Sequence, residues 1–189
     1  MKKLLYLTLA VVAALNGLLA GSALADGVIS LKKGDRIVLI GSALPEREQY
    51  YGHIEAQIHA LHPGLNLSIR NQGFTADEVR FRPRSLDFGE PDKHLTMARA
   101  DVIFAFFGFS ESFKGEAGLA TFEQELHDFI KHTREQNYSG KGAPQLVMFS
   151  PIAAENTGSP DLPDGSTTNP NLQRYTQAMA KVCSAEKTP

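Results

Sequence analysis

The sequence predicts a three-layer α/β/α sandwich built on a mainly parallel sheet. Three observations carry this reading. Short apolar runs at 37–40, 101–107 and 145–149 have the length and composition of strands covered on both faces. Helical apolar stripes separate the runs, so successive strands are joined by crossovers, which are right-handed and leave the strands parallel. Each run also stops in small or polar residues, as strands do where they deliver a turn.

The first strand opens the stretch 35–47. Its apolar run 37–40 reaches Gly41-Ser42-Ala43, where the backbone can bend sharply, and Pro45 suits the first helical position because its missing N–H would be unpaired there. Tyr51, Ile54, Ile58 and Leu61 recur at helical spacing, predicting one amphipathic helix over 46–61, ended by His62-Pro63-Gly64 and facing the sheet. Residues 65–70 alternate apolar and polar, a second strand nearer an edge than the first, and run into the turn Asn71-Gln72-Gly73.

Arg80, Arg82 and Arg84 around Pro83, with Asp77, Glu78 and Asp87 close by, read as a locally neutralised loop that continues through Phe88-Gly89-Glu90-Pro91. The run 101–107 is the most apolar strand and belongs at the centre of the sheet; it ends in Gly108-Phe109-Ser110-Glu111. Leu119, Phe122, Leu126, Phe129 and Ile130 predict the next helix, and 145–149 the fourth strand. A loop over 153–168 leads to a last helix opened by Asn169-Pro170, with the stripe Leu172, Tyr175, Met179 and Val182.

Composition excludes more than it assigns. The chain has 189 residues, 42% hydrophobic and 21% charged, with a net charge of −2, so no basic excess marks a nucleic-acid binder. Lys2 and Lys3 precede an apolar run over 4–19 and the small-x-small pattern Ala23-Leu24-Ala25, which reads as a secretory signal peptide of residues 1–25; an uncleaved anchor is the alternative. One domain over 26–189 follows, exported to the periplasm or the exterior and with no membrane span once the signal is removed. Cys183 is the only cysteine, which excludes an internal disulfide. There is no His-Glu-x-x-His, no cysteine pair and no glycine-rich phosphate loop, so neither a metal nor a nucleotide cofactor is indicated.

The three turns Gly41-Ser42-Ala43, Asn71-Gln72-Gly73 and Gly108-Phe109-Ser110-Glu111 together resemble, in order and spacing, the first three blocks of the SGNH, or GDSL-type, hydrolase family over roughly residues 35–149. The resemblance implies a flavodoxin-like sandwich and a serine that attacks an ester or acetyl carbonyl, in small-molecule esters or acetylated carbohydrates. It also implies an oxyanion held by the serine N–H, a glycine N–H and an asparagine side chain, donors fixed in advance where charge develops.

Carried over by residue, Gly73 matches the glycine of the second block. Gly41 matches the first glycine, but Ser42 falls on the family's aspartate and Ala43 on its serine. Gly108 matches in the third block, where Ser110 replaces the asparagine and Glu111 the aspartate. The resemblance thus gives Ser42 as a displaced nucleophile, Gly73 and Ser110 as oxyanion donors, and Gly41, Ala43, Asn71, Gly108 and Glu111 as cleft lining.

A late Asp-x-x-His would complete the family's set. Neither Asp161 nor Asp164 has a histidine three residues on, and all six histidines lie at or before His132. A serine hydroxyl is a weak nucleophile until a base takes its proton. The expectation is therefore an SGNH-like domain that lacks the family's C-terminal strand and helix and is weakly active or inactive. The alternative is a non-catalytic ligand-binding or accessory module of the cell envelope. Gly108-Phe-Ser-Glu-Ser112 also approaches the Gly-x-Ser-x-Gly elbow of α/β-hydrolases, but only His127 and His132 follow it, both on the very next helix.

Overall fold

The computed structural model describes residues 29–83, 88–162 and 164–189. The signal segment 1–25, Asp26, Arg84 and Asp87 lie outside the described residues.

Four strands form one parallel sheet in the order β2-β1-β3-β4: β1 (Arg36–Gly41), β2 (Ser68–Asn71), β3 (Val102–Phe106) and β4 (Gln145–Phe149). β1 and β3 are interior, as their apolar content requires, and β3 is buried along its whole length. β2 lies at one edge and β4 at the other. Parallel register fixes which strand ends meet: Gly41 pairs with Phe106, which pairs in turn with Phe149, so the turns after β1 and β3 emerge side by side.

The two faces of the sheet are covered unequally. On one, Val38, Ile40, Ile103, Ala105 and Phe107 pack against α-helices whose stripes were readable in the sequence, at Leu119–Glu135 and Asn169–Glu186. Phe122, Leu126 and Ile130 of the first and Leu172, Tyr175, Met179 and Val182 of the second are all buried. On the other face Ile37, Leu39, Val102, Phe104 and Phe106 meet Leu44, Ile54 and Ile58, with Ile29 and Leu31 of the leading segment.

Several expectations need correction. The single helix over 46–61 is two, α1 (Ala43–Tyr51) and α2 (His53–Leu61), broken at Gly52, whose φ of 65° is left-handed and ends the first helix. The break rotates the stripe, leaving Tyr51 68% and Leu61 72% exposed while Ile54 and Ile58 stay against the sheet. Pro45 sits third in α1 rather than first, still within the turn whose N–H groups have no helical partner.

Part of the loop after Arg80 is helical: α3 (Pro91–Ala98) starts on proline with Asp92 in its first turn. Only Leu95 of α3 is buried, so it has too little apolar periodicity to stand out in sequence. A short helix, α4 (Phe109–Ser112), follows β3; the long helices are α5 (Leu119–Glu135) and α6 (Asn169–Glu186).

The end of the chain returns to the β4 edge. Met148 N–H donates to Pro189 O (2.9 Å), and Arg134 fixes the approach by donating to Lys187 O and Thr188 Oγ1 (3.2 and 2.7 Å). Among the described residues no helix is long and apolar enough to cross a membrane. Cys183 is half-buried beside the core, and burial pushes its thiol up from the usual range, away from the reactive thiolate.

Candidate functional site: the turns at the carboxyl ends of the strands

The turn after β1 is set by the close approach of two strands. A Cβ on Gly41 would lie 2.1 Å from Phe106 O, and its φ is 121°, so only glycine fits at the end of β1. Ser42 N–H then donates to Phe106 O (3.1 Å), and α1 begins at Ala43. Ser42 is 2% exposed, and its Oγ lies 2.8 Å from Ser110 Oγ, so the turns after β1 and β3 meet through these two side chains. Ala43, at the position the family resemblance gives to the nucleophile, is half-buried.

The turn after β2 is sewn to α1. Phe74 N–H donates to Gly41 O (2.9 Å), Gln49 Nε2 donates to Gly73 O (2.8 Å), and Glu46 accepts from both the N–H and the hydroxyl of Thr75. A Cβ on Gly73 would stand 2.6 Å from Pro45 Cβ. The Gly73 N–H, given as an oxyanion donor by the resemblance, donates instead to Asn71 Oδ1 (2.9 Å), while Asn71 Nδ2 donates to Pro45 O. Both polar groups of the Gly73 backbone are therefore engaged locally, and Asn71 serves as the clip that holds this turn.

The turn after β3 is built around a buried acid. Glu111 was expected to line the cleft; it is 1% exposed and faces the interior. Its Oε2 accepts from Gly108 N–H and its Oε1 from Val79 N–H, each at 2.9 Å, tying the turn to the loop before α3. Burial raises the Glu111 carboxyl above the usual glutamate range, against the N–H groups of Val79, Glu111 itself and Gly108, which favour the charged form.

A cavity of ≈ 200 Å³ opens at these turns, lined by Ser42, Ala43, Leu44, Arg47, Phe106, Phe107, Phe109, Ser150, Pro151 and Ile152. Its walls are apolar apart from two serines and Arg47. All six histidines are among the described residues and none lines it. His53 stacks on Tyr51, His59 pairs with Glu55, His127 with Glu186 (2.9 Å) and His132 with Asp92 (2.7 Å).

His94 lies beside the turn after β2. It borders a separate cavity with Asn71, Gln72 and Asp77, and its Nε2 lies 2.9 Å from Phe88 O. The elbow reading of Ser110 finds no base beside it: His127 and His132 pair with Glu186 on α6 and Asp92 on α3, neither lines the cavity, and the hydroxyl of Ser110 meets Ser42. Among the described residues no group of His, Cys, Asp and Glu could hold a metal ion. The arginine loop is tied down too: Arg82 lies over the rings of Phe107 and Phe129, at 5.0 and 5.8 Å, and Glu78 pairs with Lys114.

No protein-family model matches the sequence, and no curated protein matches it. Solved structures do match. A GDSL-like lipase from Parabacteroides merdae superposes with a TM-score of 0.64 at 16% identity, over 85% of this chain and 78% of that chain. The fold is that of the SGNH/GDSL-type hydrolases. A variant acetyl xylan esterase from Geobacillus stearothermophilus gives a TM-score of 0.61 at 11% identity, covering 85% of this chain and 77% of that one. A lipase/acylhydrolase from Enterococcus faecalis gives 0.57 at 18%, covering 82% and 74%.

At these identities the likeness is one of fold. Within the SGNH-like fold, the arrangement brings Ser42, Ser110, Gly41 and Ala43 together at the strand ends and sets Gly73, Asn71 and Glu111 into supporting bonds. Sequence reasoning missed Arg47, Phe109, Pro151 and Ile152 as walls of the cavity. The spacing of Arg47 from Ala43, one helical turn on, was the available signal.

Proposed function

We propose that this chain is an exported SGNH-like domain that binds a small acyl-type ligand at the strand-end cavity and does not hydrolyse esters on its own. One observation carries the reading. The nucleophile position holds Ala43, and the neighbouring hydroxyl, Ser42, is buried against another hydroxyl rather than a base. Two hydroxyls 2.8 Å apart can share a hydrogen bond, but neither takes the other's proton at neutral pH, so no alkoxide forms. The donors expected for an oxyanion are also short by one, since the Gly73 N–H is given to Asn71.

Acyl-type ligands are favoured by the apolar walls of the cavity and by the neighbours, which include two enzymes named as lipases and one named as an acetyl xylan esterase. Export rests on the segment 1–25, and N-terminal sequencing of protein secreted by an expressing cell should start near Asp26. The test of the functional reading is turnover of p-nitrophenyl acetate and butanoate by the purified chain and its Ser42→Ala variant. Equal rates, at the level of buffer alone, are expected. Turnover that disappears in Ser42→Ala overturns the reading in favour of a displaced-nucleophile hydrolase.

A further inference from the structure

We propose that the cavity takes a short-chain monocarboxylate, with its alkyl tail among Leu44, Phe106, Phe109 and Ile152 and its carboxylate on Arg47. The proposal rests on the non-catalytic reading above and adds the class of ligand. Size limits the tail: ≈ 200 Å³ is below the range of roughly 300–1,000 Å³ that holds drug-sized ligands, so the occupant has few non-hydrogen atoms.

The walls set its character. Phe109 is 38% and Ile152 62% exposed beside the opening, and an alkyl group laid against them removes that apolar surface from solvent. Of the polar lining groups, Ser42 already shares a hydrogen bond with Ser110.

Charge sets the head group. Arg47 stands one turn after Ala43 on α1, so both lie on the helix face that borders the cavity. Among the described residues Arg47 makes no ion pair or side-chain hydrogen bond, and no acidic residue lines the cavity. Its planar fork of donors matches a carboxylate in two parallel hydrogen bonds. The opening of α1 at Ala43 and Leu44 adds the partial positive charge of a helix N-terminus on the same side. A neutral ester or alcohol of equal length would fill the walls and leave the guanidinium in water.

Calorimetric titration of the purified chain with acetate, hexanoate and hexan-1-ol separates the two contributions. Hexanoate should bind at least about threefold more tightly than acetate or hexan-1-ol, an increment on the scale of one partly exposed charge-assisted contact. Arg47→Gln should bring hexanoate to the level of hexan-1-ol and leave hexan-1-ol unchanged. Phe109→Ala should weaken hexanoate and hexan-1-ol together. An unchanged melting temperature of Arg47→Gln checks that the variant is folded, as expected for an exposed side chain without partners.

Equal binding of hexanoate and hexan-1-ol by the unaltered chain, insensitivity to Arg47→Gln, or no binding of any of the three overturns the proposal. Should a chain that turns over no ester also fail to bind hexanoate, the ligand assignment falls and the non-catalytic reading stands. Ser42-dependent ester turnover is the outcome that removes the reading itself.

Discussion

The turns after β1 and β3 leave the sheet side by side, yet their polar side chains do opposite work. After β3, Glu111 is turned inward and each carboxylate oxygen is matched by a backbone N–H, so the acid acts as a joint between the turn and the loop at Val79. After β1, Ser42 has one partner, a second hydroxyl, and sits at the floor of an open apolar cavity. Two adjacent turns of one fold can thus diverge, one with its acid committed to two backbone N–H groups and the other with a single side-chain hydroxyl pair to lose. Substitution tolerance should follow that difference.

The largest effect is expected at Glu111. Glu111→Ala leaves two buried N–H groups without acceptors, each costing about 1–3 kcal/mol, so a loss of about 3 kcal/mol or more in chemical denaturation is predicted. Glu111→Gln should cost less in total, since its amide can accept from one N–H while presenting a donor to the other. The pH dependence has a definite sign. Because the folded-state pKa of Glu111 is raised, its contribution to stability is fully present below the ordinary glutamate value of 4.5 and is lost as pH rises through the raised value. The stability gap between the unaltered chain and Glu111→Gln should therefore be widest at acid pH and narrow above it.

Gly73→Ala is the intermediate case. The added methyl meets Pro45 and the backbone at Glu46, so α1 must shift, and about 1–3 kcal/mol should be lost by thermal or denaturant unfolding. Ser42→Ala is the smallest. It removes one hydroxyl pair, worth about 0.5–1.5 kcal/mol, and should leave the fold intact. A Ser42→Ala loss as large as that of Glu111→Ala would erase the contrast between the two turns.

Much of this was legible in the sequence, for reasons that separate the elements. β1, β3, β4, α5 and α6 carry dense apolar patterns because each faces the core along most of its length, and burial is what periodicity records. α3 escaped because it buries only Leu95, and the break at Gly52 escaped because Tyr51 and Leu61 keep the helical spacing while pointing to solvent.

The site was legible by position and much less by role. Order and spacing located all three turns, and among the described residues no histidine lines the cavity between them. That Glu111 turns inward depends on Val79, a partner thirty-two residues away, which no local pattern encodes; that Asn71 takes the Gly73 N–H is a contact two residues apart, an Asx-type turn carried by Asn71-Gln72-Gly73 itself but not read as one. The walls of the cavity, Phe109, Pro151 and Ile152 among them, come from three separate stretches brought together only by the parallel register of β1, β3 and β4.

The central claim is that the hydroxyl beside Ala43 has no activator. Incubating the folded, purified chain with a fluorophosphonate and reading modified serines by mass spectrometry tests this most directly, because such probes react with activated serines whatever the natural substrate. No adduct at Ser42 or Ser110 is predicted. Stoichiometric labelling of Ser42, lost in Ser42→Ala, would contradict the account.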